Sequence, residues 1–158
     1  MVLNKKLIHY NSSSRRGRKI SYIVVHDTGN RKKGANAMNH YRYFAGGDRQ
    51  ASAHYFVDQD GVIQIIEDER AAWHCGDGRG RYKITNTNSL GIELCINEGN
   101  DMEKTYAHAS ELIRELMAFY GLSKSRVVRH YDASRKICPG HMKGKGDWGP
   151  WWGFWERI

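Results

Sequence analysis

Ser21-Tyr22-Ile23-Val24-Val25-His26 is a short β-branched run with apolar residues at odd and even positions alike. A strand with one wet face alternates apolar and polar residues. A run that is apolar on both faces belongs in the middle of a sheet covered on both sides. This one ends on a histidine, and the active sites of α/β sheets gather where strands end.

Outward from that strand, the spacing of Ala35, Met38, Tyr41 and Phe44 predicts a helix over 34–44, stopped by Gly46-Gly47. Residues 53–57 and 62–66 flank Asp58-Gln59-Asp60-Gly61, a hairpin signal in which the Asp-Gly pair supplies the turn conformations. Residues 74–89, rich in Gly, Asp, Asn and Arg, read as a loop leading into Leu90-Gly91-Ile92-Glu93-Leu94-Cys95-Ile96, a further strand. Alternation puts Leu90, Ile92, Leu94 and Ile96 on one face and Gly91, Glu93 and Cys95 on the other. The longest predicted helix covers 104–120, with one apolar stripe and Gly121 as its C-cap. Val127-Val128-Arg129-His130 reads as a last strand, 135–146 as a loop, and the Trp-rich end as the start of a packing helix. Residues 1–19, rich in Ser, Arg and Gly, read as an irregular arm. Strands interleaved with helices predict an α/β fold: a single domain over 1–158 with a central mixed β-sheet flanked by helices.

A length of 158 residues suits one core, and no apolar run approaches the length of a membrane span. The basic N-terminus lacks the apolar stretch and small-residue cleavage site of a secretory signal, so synthesis in the host cytoplasm is expected. Three cysteines and no CxxC pair argue against a disulfide framework, and at least one needs another role: filler, ligand or nucleophile. The net charge of +8 favours polyanions, either nucleic acid or an anionic cell wall. The basic residues are scattered and carry no nucleic-acid-binding signature, so no nucleic-acid partner is expected.

Four residues stand out chemically. His26 and His130 each end a strand, and Cys138 follows eight positions after the second. Two imidazoles and a thiolate suit a three-ligand zinc site with an open fourth position. Taken singly, each histidine is better explained as a packed or surface residue and the cysteine as core filler. Cys138 as a nucleophile with His130 as its base is the competing chemistry. Glu93, from its strand alone, reads as a surface residue. If its face lines a cleft, desolvation makes it a candidate general base.

The order of segments decides between these readings. Tyr22-Ile23-Val24-Val25-His26-Asp27-Thr28, Ser52-Ala53-His54-Tyr55-Phe56-Val57-Asp58, Trp73-His74-Cys75-Gly76-Asp77-Gly78, Ser89-Leu90-Gly91-Ile92-Glu93-Leu94-Cys95, His130-Tyr131 and Lys136-Ile137-Cys138-Pro139 occur in that sequence. Together they resemble the type 2 family of N-acetylmuramoyl-L-alanine amidases, which includes phage endolysins, Bacillus autolysins and the catalytic peptidoglycan recognition proteins. The likeness runs from about residue 20 to the C-terminus and implies that family's fold.

What the resemblance implies is specific. It makes His26, His130 and Cys138 zinc ligands, Glu93 the base that activates water, and Lys136 the support of the developing oxyanion. Trp73 and His74 become cleft-wall residues that bind substrate, and His54 a structural histidine. One departure is Ala53, where some relatives carry a catalytic tyrosine, which leaves more of the work to Glu93. The implied partner is bacterial peptidoglycan, reached after release from the cell, with no membrane insertion. The implied molecule is a monomer, and relatives often add a C-terminal wall-binding domain. A module that binds peptidoglycan without turnover is the alternative, and the family's binding-only members characteristically lack the cysteine.

Overall fold

The computed structural model describes residues 1–158. Eight strands form: β1 (Leu3–Lys5), β2 (Ser12–Ser14), β3 (Tyr22–Asp27), β4 (Tyr55–Asp58), β5 (Gly61–Gln64), β6 (Arg70–Ala72), β7 (Ser89–Leu94) and β8 (Val127–Arg129). Four α-helices accompany them: α1 (Ala37–Ala45), α2 (Met102–Tyr120), α3 (His130–Ser134) and α4 (Gly149–Trp155). Six strands make the main sheet in the order β1-β5-β4-β7-β3-β8, and β2 and β6 make a separate antiparallel ribbon. Within the main sheet only the β4–β5 hairpin is antiparallel, so the sheet is mixed.

The strand at 22–27 is central because it has no wet face. Ile23 and Val25 enter the larger core with Leu90, Ile92 and Leu94 of β7, under the apolar stripe of α2 (Ala109, Leu112, Ile113, Leu116) and Trp151 and Phe154 of α4. Val24 faces the other way, onto Cys75, Ile84 and Ala133. On that second side α1 covers the hairpin, packing Ala37 against Phe56, Ile63 and Ile65.

Helix boundaries follow their caps. The first helix starts at Ala37, not at 34, because the Asn36 side chain accepts the Asn39 N–H at 2.9 Å and so ends the preceding turn. Asp101 caps α2 in the same way, and Gly121 closes it in the left-handed conformation at φ 64°, its N–H reaching the Met117 carbonyl.

The arm over 1–19 is not irregular throughout, which corrects the expectation from composition. Leu3–Lys5 adds a parallel strand to β5, and Ser12–Ser14 pairs with Arg70–Ala72. Between arm and sheet lies Arg15, only 7% exposed. Its guanidinium donates to the backbone carbonyls of Asp68, Thr87 and Ser89. Those bonds satisfy a charged donor that burial would otherwise penalise heavily. No helix is long and apolar enough to cross a membrane.

Candidate metal centre

His26 and Glu93 are register partners on the parallel strands β3 and β7, so their side chains leave the same face of the sheet side by side. His130 comes from the neighbouring strand's end, where β8 gives way to α3. After α3 the chain doubles back. The Tyr131 N–H donates to the Cys138 carbonyl at 3.0 Å, which returns the cysteine to the strand ends. As a result one ligand atom each from His26, His130 and Cys138 lies within 4.8 Å of the others, and all three residues are buried. The expectation that these residues meet is thereby fulfilled in space, although 112 positions separate the first from the last.

Hydrogen bonding decides which nitrogens face the cluster. Ser89 Oγ donates to the Thr85 carbonyl at 2.6 Å, so it accepts from His74 Nε2 at 3.1 Å. A neutral His74 protonated at Nε2 must accept at Nδ1, and there His26 Nε2 donates at 3.0 Å. His26 therefore turns the lone pair of Nδ1 toward Cys138, whose sulfur lies 3.7 Å away. His130 is set by a carboxylate instead: its Nε2 donates to Asp77 Oδ1 at 2.7 Å. Its Nδ1 is buried with no hydrogen-bond partner.

These features fit a metal ion. Ligand atoms around a tetrahedral zinc lie about 3.3–3.6 Å apart, given bonds of about 2.0–2.3 Å. The 3.7 Å between Cys138 Sγ and His26 Nδ1 is close to that edge. Burial, with Glu93 adding to it, pushes the Cys138 thiol up, so a nearby cation is what would hold it as thiolate. An isolated imidazole lone pair sealed from water is costly, and an ion is its natural partner. Two imidazole nitrogens and one sulfur suit zinc among the common ions.

Glu93 corrects the surface reading given by its strand alone. Helix α1 lies over that face, Phe56 of the neighbouring strand β4 flanks it, and Oε2 is sealed without a partner. Burial, with the Asp27 charge adding to it, pushes the carboxyl up to about 8, and Lys136 opposes the shift. Lys136 is exposed and lines the same small cavity as the three cluster residues and Glu93, about 150 Å³ in volume. Two larger hollows adjoin it. One of about 320 Å³ runs past Glu93, Phe44 and Phe56 beneath α1. The other, of about 410 Å³, runs past Trp73, His130 and Lys136. Trp73 is 37% exposed on that wall. His74, expected beside it as a wall residue, does touch the cavity but is buried and spends both ring nitrogens on His26 and Ser89. The structural reading of His54 agrees with its bonds: Nδ1 accepts the Gly91 N–H at 2.9 Å and Nε2 faces the Arg70 carbonyl at 3.0 Å. Burial and the Arg15 charge depress its pKa to about 3.

Sequence reading missed Ser89, Asp77 and the orienting role of His74. These groups fix ring orientation and tautomer, as outer-shell partners of metal-bound histidines do. Gly91 is part of that apparatus, because a Cβ there would stand 2.6 Å from His74 Cγ. Gly91→Ala is therefore expected to displace His74, untie His26 and weaken zinc binding by about 10–100-fold. Competition with a fluorescent chelator measures this, and unchanged affinity would mean His74 does not position His26.

A mixed-sheet α/β domain that gathers a His/His/Cys donor set at the carboxyl ends of parallel strands, alongside a half-buried glutamate with one sealed oxygen, is the class these features define. The chain belongs to the N-acetylmuramoyl-L-alanine amidase family (Amidase_2), whose model matches residues 16–141. It is 42% identical over 127 residues to a probable N-acetylmuramoyl-L-alanine amidase of Bacillus licheniformis, covering 74% of this chain and 35% of that protein. It is 41% identical over 118 residues to the amidase XlyA of Bacillus subtilis, covering 75% of this chain and 39% of that one. The chain thus spans well under half the length of these relatives. The solved catalytic domain of XlyA superposes with a TM-score of 0.85 at 34% identity, covering 100% of this chain and 99% of the other. A mutant endolysin from Bacillus subtilis superposes at 0.87 with 35% identity, covering 100% and 99%.

Proposed function

We propose that the chain is a zinc-dependent N-acetylmuramoyl-L-alanine amidase, hydrolysing the amide between the muramic acid lactyl group and L-alanine in bacterial peptidoglycan. The observation that carries this reading is the convergence of two histidine lone pairs and one thiol beside a glutamate whose buried oxygen lacks a partner. Zinc held by His26, His130 and Cys138 supplies Lewis acidity toward the scissile carbonyl and makes water easier to deprotonate.

The remaining steps belong to the chain's own side chains. The Glu93 carboxylate, whose proton affinity the surrounding burial raises, takes a proton from the attacking water. The Lys136 ammonium faces the cavity where the carbonyl oxygen gains negative charge, and stabilises it there. Glu93 then returns the proton to the departing nitrogen. The C–N bond breaks, leaving a lactyl carboxylate and a free L-alanine amino group. Phe44, Phe56 and α1 wall off one side of Glu93 and limit water's access to it. Trp73 offers a flat apolar face to a sugar or peptide on the other side. The same reading takes peptidoglycan as the partner, with one chain sufficient for the site because every residue named comes from it.

The cysteine-nucleophile alternative is weaker, because the thiol lies in a buried site that favours its neutral form, where it is a poor nucleophile. Digestion of purified walls tests the proposal. New amino termini of L-alanine should appear with no new reducing sugars. Reducing ends without amino groups would make the chain a glycosidase, and tight binding with neither product a non-cleaving module.

A further inference from the structure

At the opposite end of the sheet from His26 lies a second, chemically different cleft of about 730 Å³. Its floor is built where the parallel strands begin: Tyr22 opens β3, Asn88 precedes β7 and Arg126 precedes β8. From Tyr22 to His26 along β3 the separation is roughly 13 Å. The two sites therefore sit at opposite ends of the same strands.

Four cations, Arg16, Arg18, Lys83 and Arg126, line the cleft, and no carboxylate does. None of the four forms an ion pair anywhere in the molecule. Surface cations of one sign held together repel each other, and here no carboxylate offsets that repulsion. Between them stand hydroxyl and amide groups fixed by one another. Thr85 and Thr87 share a hydrogen bond at 3.0 Å, and the Asn88 amide donates to the Lys83 carbonyl at 2.9 Å. Arg16 and Lys83 also hold left-handed backbone conformations, with φ of 53° and 64°, which non-glycine residues adopt at some cost. Guanidinium forks and hydroxyls suit the oxygens of phosphate.

We propose that this cleft binds a phosphodiester-linked polymer carried by the cell wall, docking the domain on the wall while the muramoyl peptide to be cut lies across the metal centre. The choice of a wall polymer rests on the amidase reading above. Single-stranded nucleic acid would need stacking faces, and the cleft's one aromatic ring, Tyr22, is already covered by Arg126 at 4.9 Å.

The test compares the chain with the variant Arg16→Gln/Arg18→Gln/Lys83→Gln/Arg126→Gln. A charge-matched control, Lys32→Gln/Lys33→Gln/Lys143→Gln/Lys145→Gln, removes the same charge elsewhere. Sedimentation with purified walls is measured before and after hydrofluoric acid strips their phosphodiesters. The cleft variant is expected to bind intact walls about tenfold more weakly than the control, and stripped walls equally well. Should four replacements unfold the chain, the pair Arg18→Gln/Arg126→Gln is used, with about threefold expected. Equal losses in variant and control, or a deficit that persists on stripped walls, overturn the proposal. So does cleft-dependent binding of a DNA 20-mer tighter than that of inorganic polyphosphate, which would assign the cleft to nucleic acid. Cleavage of a soluble muramoyl peptide is followed in parallel. A wild-type chain inert on it overturns the amidase reading, while the wall partition still decides the cleft.

Discussion

Glu93→Gln keeps its zinc and loses hydrolysis by about 10²–10⁴-fold, the range that a positioned general base contributes. The amide matches the carboxyl in shape, so the β3–β7 pairing and the hollow beneath α1 are unaffected. It cannot accept and return a proton. The amide needs no proton uptake on folding, whereas the carboxyl with its raised pKa does at neutral pH, so the thermal midpoint should hold or rise slightly. Metal analysis and amino-group release from walls, run on the same preparation, separate the two effects. Near wild-type lysis by this variant would remove Glu93 from the chemistry and direct attention to another acceptor in the cavity.

Cys138→Ser has the second large effect, and it strikes the other half of the site. A serine hydroxyl keeps the size but offers a hard, reluctant donor where a thiolate would bind. Loss of an inner ligand should exceed the effect of losing an outer-shell partner, so zinc affinity should fall by more than about 100-fold. Activity falls with it. Because an ion that binds only the folded chain stabilises it, adding a chelator should lower the thermal midpoint of the wild type and leave that of Cys138→Ser unmoved. A serine variant that retained stoichiometric zinc through dialysis would show that the sulfur is not a ligand.

Much of this was legible in the chain, for physical reasons that differ by residue. The run from Tyr22 to Val25 could only be a covered strand, so the place of His26 at its end followed. The stripe of α2 and its Gly121 cap were legible because helix period and left-handed closure are local properties. Ser12–Ser14 and Arg70–Ala72 were not, since three-residue strands of Ser, Arg and Ala carry no periodic signal and exist through their mutual pairing. The covered position of Glu93 was not legible from its strand, because α1, which lies over it, comes about 50 residues earlier in the chain. The orienting parts played by His74 and Asp77 were hidden in a Gly- and Asp-rich loop. Their contacts to His26 and His130 span 48 and 53 positions, beyond any local pattern.

The small cavity at the metal centre shares Glu93, Phe44 and Phe56 with the hollow beneath α1, and Trp73, His130 and Lys136 with the hollow along Trp73. They form a trough rather than a blind pit. On the amidase reading, a glycan strand can enter such a trough from the side, with no loose tip to be threaded, and bring the branch point of a stem peptide to the cavity. An amidase of this shape would need no prior nicks in a closed net.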